Sequence, residues 1–316
     1  MARKPEVVTR LDDAARAGWL YYVAGRTQDE IAAAMGISRQ SAQRLVSLAV
    51  AEKLVKVRID HPIAACLELG SRLKDTFDLR QVEIVPSDPV SPSSVAGLAP
   101  AAAAEIERWL RQVEPIVMGI GTGRTLKASI DLLSSIDCPQ HRIVSLTGNI
   151  SPDGSAAYYN VIFSMQDTIK ARHFPMPLPV LVSSGEERDL LHAQSLVHTA
   201  LTLGKQVNVA FVGVGELGPD APLCQDGFLA IDEMARLTDA GAVGEICGWM
   251  FNEAGDLLEG PINERVASIP LPNSQQATII GMALGPRKFR ALRAALTGRI
   301  LNGLITDEAT ARLLLG

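Results

Sequence analysis

Arg39, Gln40, Gln43 and Arg44 carry side chains that can each hold a base edge with two hydrogen bonds, and their spacing puts them on one polar stripe of a single helix, together with Ser38 and Ser47. The segment that presents them, QDEIAAAMGISRQSAQRLVS over residues 28–47, fits the helix-turn-helix template position by position. Ile31, Met35, Ile37 and Leu45 fall where two helices pack on each other, and Ala32 is small where they cross. Gly36 stands where the turn needs positive φ. Thr27, with Glu30 three residues on, is a capping box for the first helix, and Ser38 is the natural N-cap of the second. The amino-terminal half of such a second helix reaches the major-groove floor, so Ser38, Arg39, Gln40, Gln43 and Arg44 are the expected DNA contacts. A solvated helix face is also polar; the full set of packing, turn and cap positions is what argues for DNA.

A second group of residues suits a small polar ligand. Gly119-Ile-Gly121-Thr122-Gly123-Arg124-Thr125, Thr147-Gly148-Asn149 and Gly213-Val-Gly215-Glu216 are glycine-rich loops that follow apolar runs. In the first, the glycines let backbone N–H groups approach a phosphate or a polyhydroxyl compound. Thr122 and Thr125 add hydroxyls, Arg124 adds charge, and a helix starting there adds its positive end. A tight strand-to-helix turn that binds nothing has the same composition. The loop is not a P-loop, since no Gly-Lys-Ser/Thr follows it. Gly213-Val-Gly215-Glu-Leu-Gly218 fits GxGxxG nominally, but Pro219 and Pro222 stand where the pyrophosphate-cradling helix should begin, which argues against a nicotinamide cofactor. No cofactor and no metal are expected.

The elements that must position these residues follow from periodicity. Ala14, Ala17, Trp19, Leu20, Tyr22 and Val23 recur at helical spacing before Gly25 and predict a helix bracing the pair, while KLVKVRID over 53–60 predicts a short basic wing along the DNA backbone. Residues 1–60 hold ten Lys or Arg against seven Asp or Glu, a net of +3, within a chain whose net charge is −5. So small an excess implies weak binding by one module and hence oligomerisation. Beyond residue 62, helices near 64–77, 97–113, 124–133, 157–171, 187–203 and 230–240 alternate with strands at 81–85, 115–121, 142–146, 179–182 and 207–214. That alternation predicts a mostly parallel sheet covered on both faces, with ligands at the carboxyl ends of its strands. A helix-turn-helix domain over 1–62 and a larger α/β domain over 63–316 is the expected division of the 316 residues. The four cysteines fall in no metal-ligand or paired spacing, and no apolar run is long enough to span a bilayer, so a reduced cytoplasm is expected.

The motifs taken together resemble the SorC family of bacterial sugar-responsive transcription regulators over nearly the whole length. They are GWLYYVAGRTQDEIAAAMGISRQSAQRLV, GIGTGRTL, FPMPLPVLV, GVGEL, DAGAVGEICGWMFNEAGDLL, ALGPRKFRALRAAL and LNGLITDEATARLLL. The resemblance implies an effector domain with a fold like sugar-phosphate isomerases and deaminases, dimeric or tetrameric assembly, and operator DNA binding controlled by a carbohydrate or its phosphate. Carried over by position, it implies Gly121, Gly123, Arg124 and Thr125 at the phosphate-like end, Lys288 closing over it, and Glu245 accepting hydroxyls. Asn149, Glu216, Asn252 and Arg265 lie on neighbouring loops. The chain has Glu at 245 where Asp is frequent, and Leu284-Gly285-Pro286 where two glycines are usual. The rival expectation is an active isomerase or deaminase, which would need an acid and a base on the strand-end loops. None of His61, His141, His173, His192 and His198 falls in the three glycine loops.

Overall fold

The computed structural model describes residues 10–52, 54–55, 63–91, 94–151, 153–155 and 160–316. The chain divides into two compact units, Met1–His61 and Pro62–Gly316.

The first unit is built from α1 (Arg10–Tyr22), α2 (Gln28–Met35) and α3 (Arg39–Ala51). Ala17, Ile31, Ala32, Ala42 and Val46 form its core, with Leu20, Met35, Ile37 and Leu45 packed against them. Thr27 caps α2 by accepting from the Glu30 N–H while Glu30 accepts from the Thr27 N–H at 2.8 Å, and Gly36 ends the helix at φ 66°. Each such cap stabilises a helix by about 1 kcal/mol. The face that α1 turns inward is made of small residues, Ala14, Ala17 and Gly18. A methyl on Gly18 would come within 2.9 Å of Ala49 Cβ, so α1 and α3 pack at close range. The larger apolar residues expected on that face, Trp19, Tyr22 and Val23, are instead exposed, since only small side chains fit between helices this near. The wing expected over 53–60 lies outside the described residues except for Leu54 and Val55.

The second unit runs α4 (Ala64–Phe77), β1 (Gln81–Val85), α5 (Leu98–Leu110), β2 (Val117–Ile120), α6 (Arg124–Ile130), β3 (Ile136–Ile150), α7 (Val161–Gln166), β4 (Ile169–Pro179), α8 (Gly185–His192), α9 (Ser195–Gly204) and β5 (Val209–Gly213). It continues through β6 (Gly215–Glu216), α10 (Pro222–Gln225), α11 (Ile231–Asp239), β7 (Gly244–Ile246), β8 (Trp249–Phe251), α12 (Pro261–Glu264), β9 (Thr278–Met282), α13 (Phe289–Thr297), β10 (Gly303–Asp307) and α14 (Glu308–Leu315). Seven strands form a parallel sheet in the order β1-β10-β9-β5-β2-β3-β4, and β6-β7-β8 form a small antiparallel sheet. Alternate residues of the central strands enter opposite cores. Val117, Ala210 and Val212 belong to one, and Met118, Ile120, Val209 and Phe211 to the other, as a sheet buried on both faces requires.

Three expectations need correction. The helix placed over 157–171 is only Val161–Gln166 in the described residues, and the strand placed at 179–182 is β4, which begins ten residues earlier at Ile169 and ends at Pro179. The prolines at 175, 177 and 179 are tolerated there because β4 is an edge strand paired with β3 alone, where a missing N–H faces no neighbour. The helix expected over 187–203 breaks into α8 and α9 around Ala193 and Gln194.

Candidate effector site and DNA-reading face

The strand order locates a site. From β2 the chain moves outward through β3 to β4, and from β5 it moves the opposite way through β9 to β10. Neighbouring strands whose connections diverge leave a crevice at their carboxyl ends, and here those strands are β2 and β5. Gly121, just beyond β2, donates its N–H to the Phe211 carbonyl at 2.9 Å. Gly213 ends β5 so near the first loop that a methyl on it would lie 3.0 Å from the Thr122 carbonyl. Two of the three glycine loops therefore meet.

Four charged side chains converge beside them. Lys288, the last residue of the 3-10 turn Pro286–Lys288, places Nζ 2.6 Å from Glu216 Oε2 and donates to the Val214 carbonyl at 2.6 Å. Arg287 reaches the other Glu216 oxygen at 3.6 Å from a largely exposed position. Glu245 pairs with Gly215 across β6 and β7, and its Oε2 accepts from the Gly248 N–H at 2.8 Å. Any side chain at 215 would overlap the Glu245 carboxyl group, so glycine there is a packing requirement. The β7–β8 hairpin turns on Cys247 and Gly248, with φ of 54° and 87°, the paired positive angles of a two-residue turn. That turn sets the Cys247 sulfur against the first loop: a methyl on Gly121 would lie 3.2 Å from it. Cys247 is a contact that sequence reasoning missed. Its only local signal is the glycine that follows it.

The electrostatics separate the two glutamates. Burial by itself would raise the Glu216 carboxyl, but the hydrogen bond and charge of Lys288 outweigh it and hold the group below the usual glutamate range. For Glu245 burial dominates and pushes the group up, with the Gly248 N–H and Lys288 offsetting part of this and the Glu216 charge adding to it. Burial likewise pushes the Cys247 thiol up to about 12, so it stays a neutral thiol near pH 7.

These shifts have opposite consequences for stability. Glu245 contributes stability that is complete below the ordinary glutamate range and is lost as pH rises through its raised pKa. Glu216 contributes stability present above the ordinary range and lost as pH falls through its lowered pKa. Glu245→Gln keeps an acceptor for Gly248 and removes only the first effect. Its melting temperature should therefore gain on the parent's as pH rises from about 4 to about 8. Thermal melts across that range check this, and a constant difference would place the Glu245 carboxyl in ordinary solvent.

Other expected ligand contacts are placed differently. Arg124 is exposed with no side-chain hydrogen bond or ion pair among the described residues, while Thr125 is half-buried at the start of α6. Asn149 accepts from the Met176 N–H at 3.0 Å and donates to Asn160 at 3.3 Å, which ties β3 to β4. Arg265 donates to the Val182 carbonyl at 2.7 Å and is ion-paired with Glu233. Asn252 closes its own turn by accepting from Ala254 and Asp256. The structure thus brings Gly121, Thr122, Glu216, Glu245 and Lys288 around one crevice and engages Asn149, Asn252 and Arg265 in framework bonds.

On the first unit, Gln40, Gln43 and Arg44 are exposed and line one shallow groove along α3. Arg39 sits apart. Its Nε lies 3.5 Å from Asp29 of α2, on a different face shared with Arg26 and Thr27. The Ser38 hydroxyl accepts from the Ser41 N–H at 3.1 Å and so is committed to capping α3.

Comparison with known proteins agrees with both units. Residues 61–316 match the family model described as "Putative sugar-binding domain", and residues 4–62 match the MarR family model. The erythritol catabolism regulatory protein EryD of Brucella abortus is 33% identical over 303 residues, covering 96% of each chain. The transcriptional regulator LsrR of an Enterobacter species is 30% identical over 308 residues, covering 95% of this chain and 92% of that one. The crystal structure of the full-length sorbitol operon regulator SorC from Klebsiella pneumoniae superimposes with a TM-score of 0.73 at 25% identity, covering 96% of this chain and 98% of that one. With a sugar-binding domain over most of its length, a helix-turn-helix ahead of it and relatives matched nearly end to end, the chain belongs to the SorC family of sugar-binding transcriptional regulators.

Proposed function

We propose that the protein is a cytoplasmic, homo-oligomeric regulator of carbohydrate catabolism whose operator binding responds to a neutral polyol or sugar held between the Gly121–Thr125 loop, Glu216, Glu245 and Lys288. The observation that carries this is the Lys288–Glu216 ion pair beside the Glu245 carboxyl group, which burial pushes above the usual glutamate range, all at the strand switch point. Such a set offers both donors and acceptors to hydroxyl groups. A phosphate would have to pull Lys288 from Glu216 and sit against a carboxylate, whereas hydroxyls can bond both partners without separating them. Similarity to a regulator named for erythritol catabolism favours the same class. A second reading, a sugar phosphate with its phosphate on the first loop, is favoured by one observation, the guanidinium of Arg124, which has no partner among the described residues.

Regulation is preferred over isomerase or deaminase chemistry because no histidine falls in the three glycine loops, and two of the four described histidines serve the framework. His141 accepts from the Ile116 N–H at 3.2 Å, and His192 lies 3.0 Å from the Ala267 carbonyl. Among the described residues no helix is long and apolar enough to cross a membrane. The effector would act by binding one arrangement of the oligomer more tightly than another, which is the only way a ligand shifts such an equilibrium.

Thermal-shift measurements against four- and five-carbon polyols, free sugars and their phosphates test the reading. A ligand at about one hundred times its Kd adds roughly 2.7 kcal/mol to the folded state, which is readily seen. Stabilisation by a polyol or free sugar is expected. Stabilisation by phosphates alone would favour the second reading, and none by any of them would remove the crevice as an effector site.

A further inference from the structure

The groove on the helix-turn-helix unit has a wall that does not come from the recognition helix. Gln40, Gln43, Arg44 and Ser47 line it from α3, and Arg10, the first residue of α1, lines it from the other side. Arg10 is exposed and has no side-chain hydrogen bond or ion pair among the described residues. Arg26 and Arg39 are each held 3.5 Å from a carboxylate of α2, Glu30 and Asp29, whereas Arg10, Arg16 and Arg44 have no such partner among the described residues, and of these three Arg10 and Arg44 share one groove. Two guanidinium groups that line one concavity give it a positive field, which favours an anion there.

We infer that Arg10 is a DNA-backbone contact that sets the register of the recognition helix. The inference rests on the DNA-binding reading of α3 and extends the contact surface to α1. With the stripe of α3 in the major groove, the side wall of the protein groove faces the sugar-phosphate strand that borders it. A guanidinium there neutralises a phosphate and carries no sequence information itself. Arg44, on the stripe, is left to reach the bases.

The test uses the full chain and, as probe, the duplex that it enriches from a random-sequence pool, with a scrambled duplex of the same composition beside it. Affinities are read by fluorescence anisotropy over a series of salt concentrations. Each neutralised phosphate adds about 0.9 to the slope of log affinity against log salt. Arg10→Ala should lower that slope by about one per module bound and weaken both duplexes by a similar factor. Arg10→Lys should keep the slope, because a phosphate needs the charge and not the fork. The melting temperature should not move, since the side chain is exposed and unpaired. The assignment is overturned by an unchanged slope in Arg10→Ala, by a loss confined to the enriched duplex that lysine fails to rescue, or by a lowered melting temperature. A parent chain that enriches no duplex at all overturns the DNA-binding reading together with this one.

Discussion

Lys288→Ala is expected to abolish the effect of the carbohydrate ligand on operator binding and to lower folded stability by about 2 kcal/mol. The loss of stability follows from leaving the Glu216 carboxylate, only 11% exposed, without its 2.6 Å partner. The figure sits below that for a fully buried pair because Lys288 is 23% exposed and partly screened. The two effects are separable. Lys288→Ala combined with Glu216→Gln removes both charges, so most of the stability should return, while the ligand response should stay lost because the Lys288 donor to the ligand is gone. Chemical denaturation of the four proteins of this cycle, alongside operator titrations with and without the stabilising polyol or sugar, gives both readouts. A double variant that regains the ligand response would show that the pair only braces the turn at residues 286–288 against β6.

Gln43→Ala and Arg44→Ala are each expected to weaken specific operator binding by about 1–3 kcal/mol, roughly 5- to 150-fold, with ligand binding by the other unit unchanged. Gln40→Ala should behave similarly, since the three side chains line one groove. A smaller effect is expected for Arg39→Ala. Its guanidinium is already paired with Asp29 and lies on the face beside the amino terminus of α2, where a contact to the backbone of DNA is the natural one. Competition titrations with duplexes altered one base pair at a time distinguish the roles. Loss of discrimination at one position in Gln43→Ala marks base reading, and wild-type affinity in both Gln43→Ala and Arg44→Ala would take the stripe off the reading face.

Much of the architecture was legible because its determinants are close together in sequence. Every rule that identifies the helix-turn-helix, from Thr27 and Glu30 through Gly36 to Ser38 and Leu45, acts over at most a few turns of helix, and the caps form as those residues imply. The strands of the large unit were visible where apolar runs lie between glycines, as at Val209–Gly213. The misplacement of β4 shows the limit. An edge strand rich in proline carries no ladder requirement on one side, so its sequence contains little that distinguishes it from a loop.

The amino-acid sequence by itself determined the DNA-binding unit, the parallel-sheet class and the family, because caps, turns and hydrophobic periods are local properties of a chain. Only the tertiary structure decided which loops form the crevice. β2 and β5 are neighbours although the bond from the Val117 N–H to Asn208 spans 91 positions, and Lys288 reaches a carbonyl 74 positions away at Val214. It also decided that Lys288 is neutralised by Glu216 and that Asn149 and Arg265 hold the framework, since whether a polar side chain is paired depends on what the fold sets beside it. Pairing is a property of space, and residue type does not encode it.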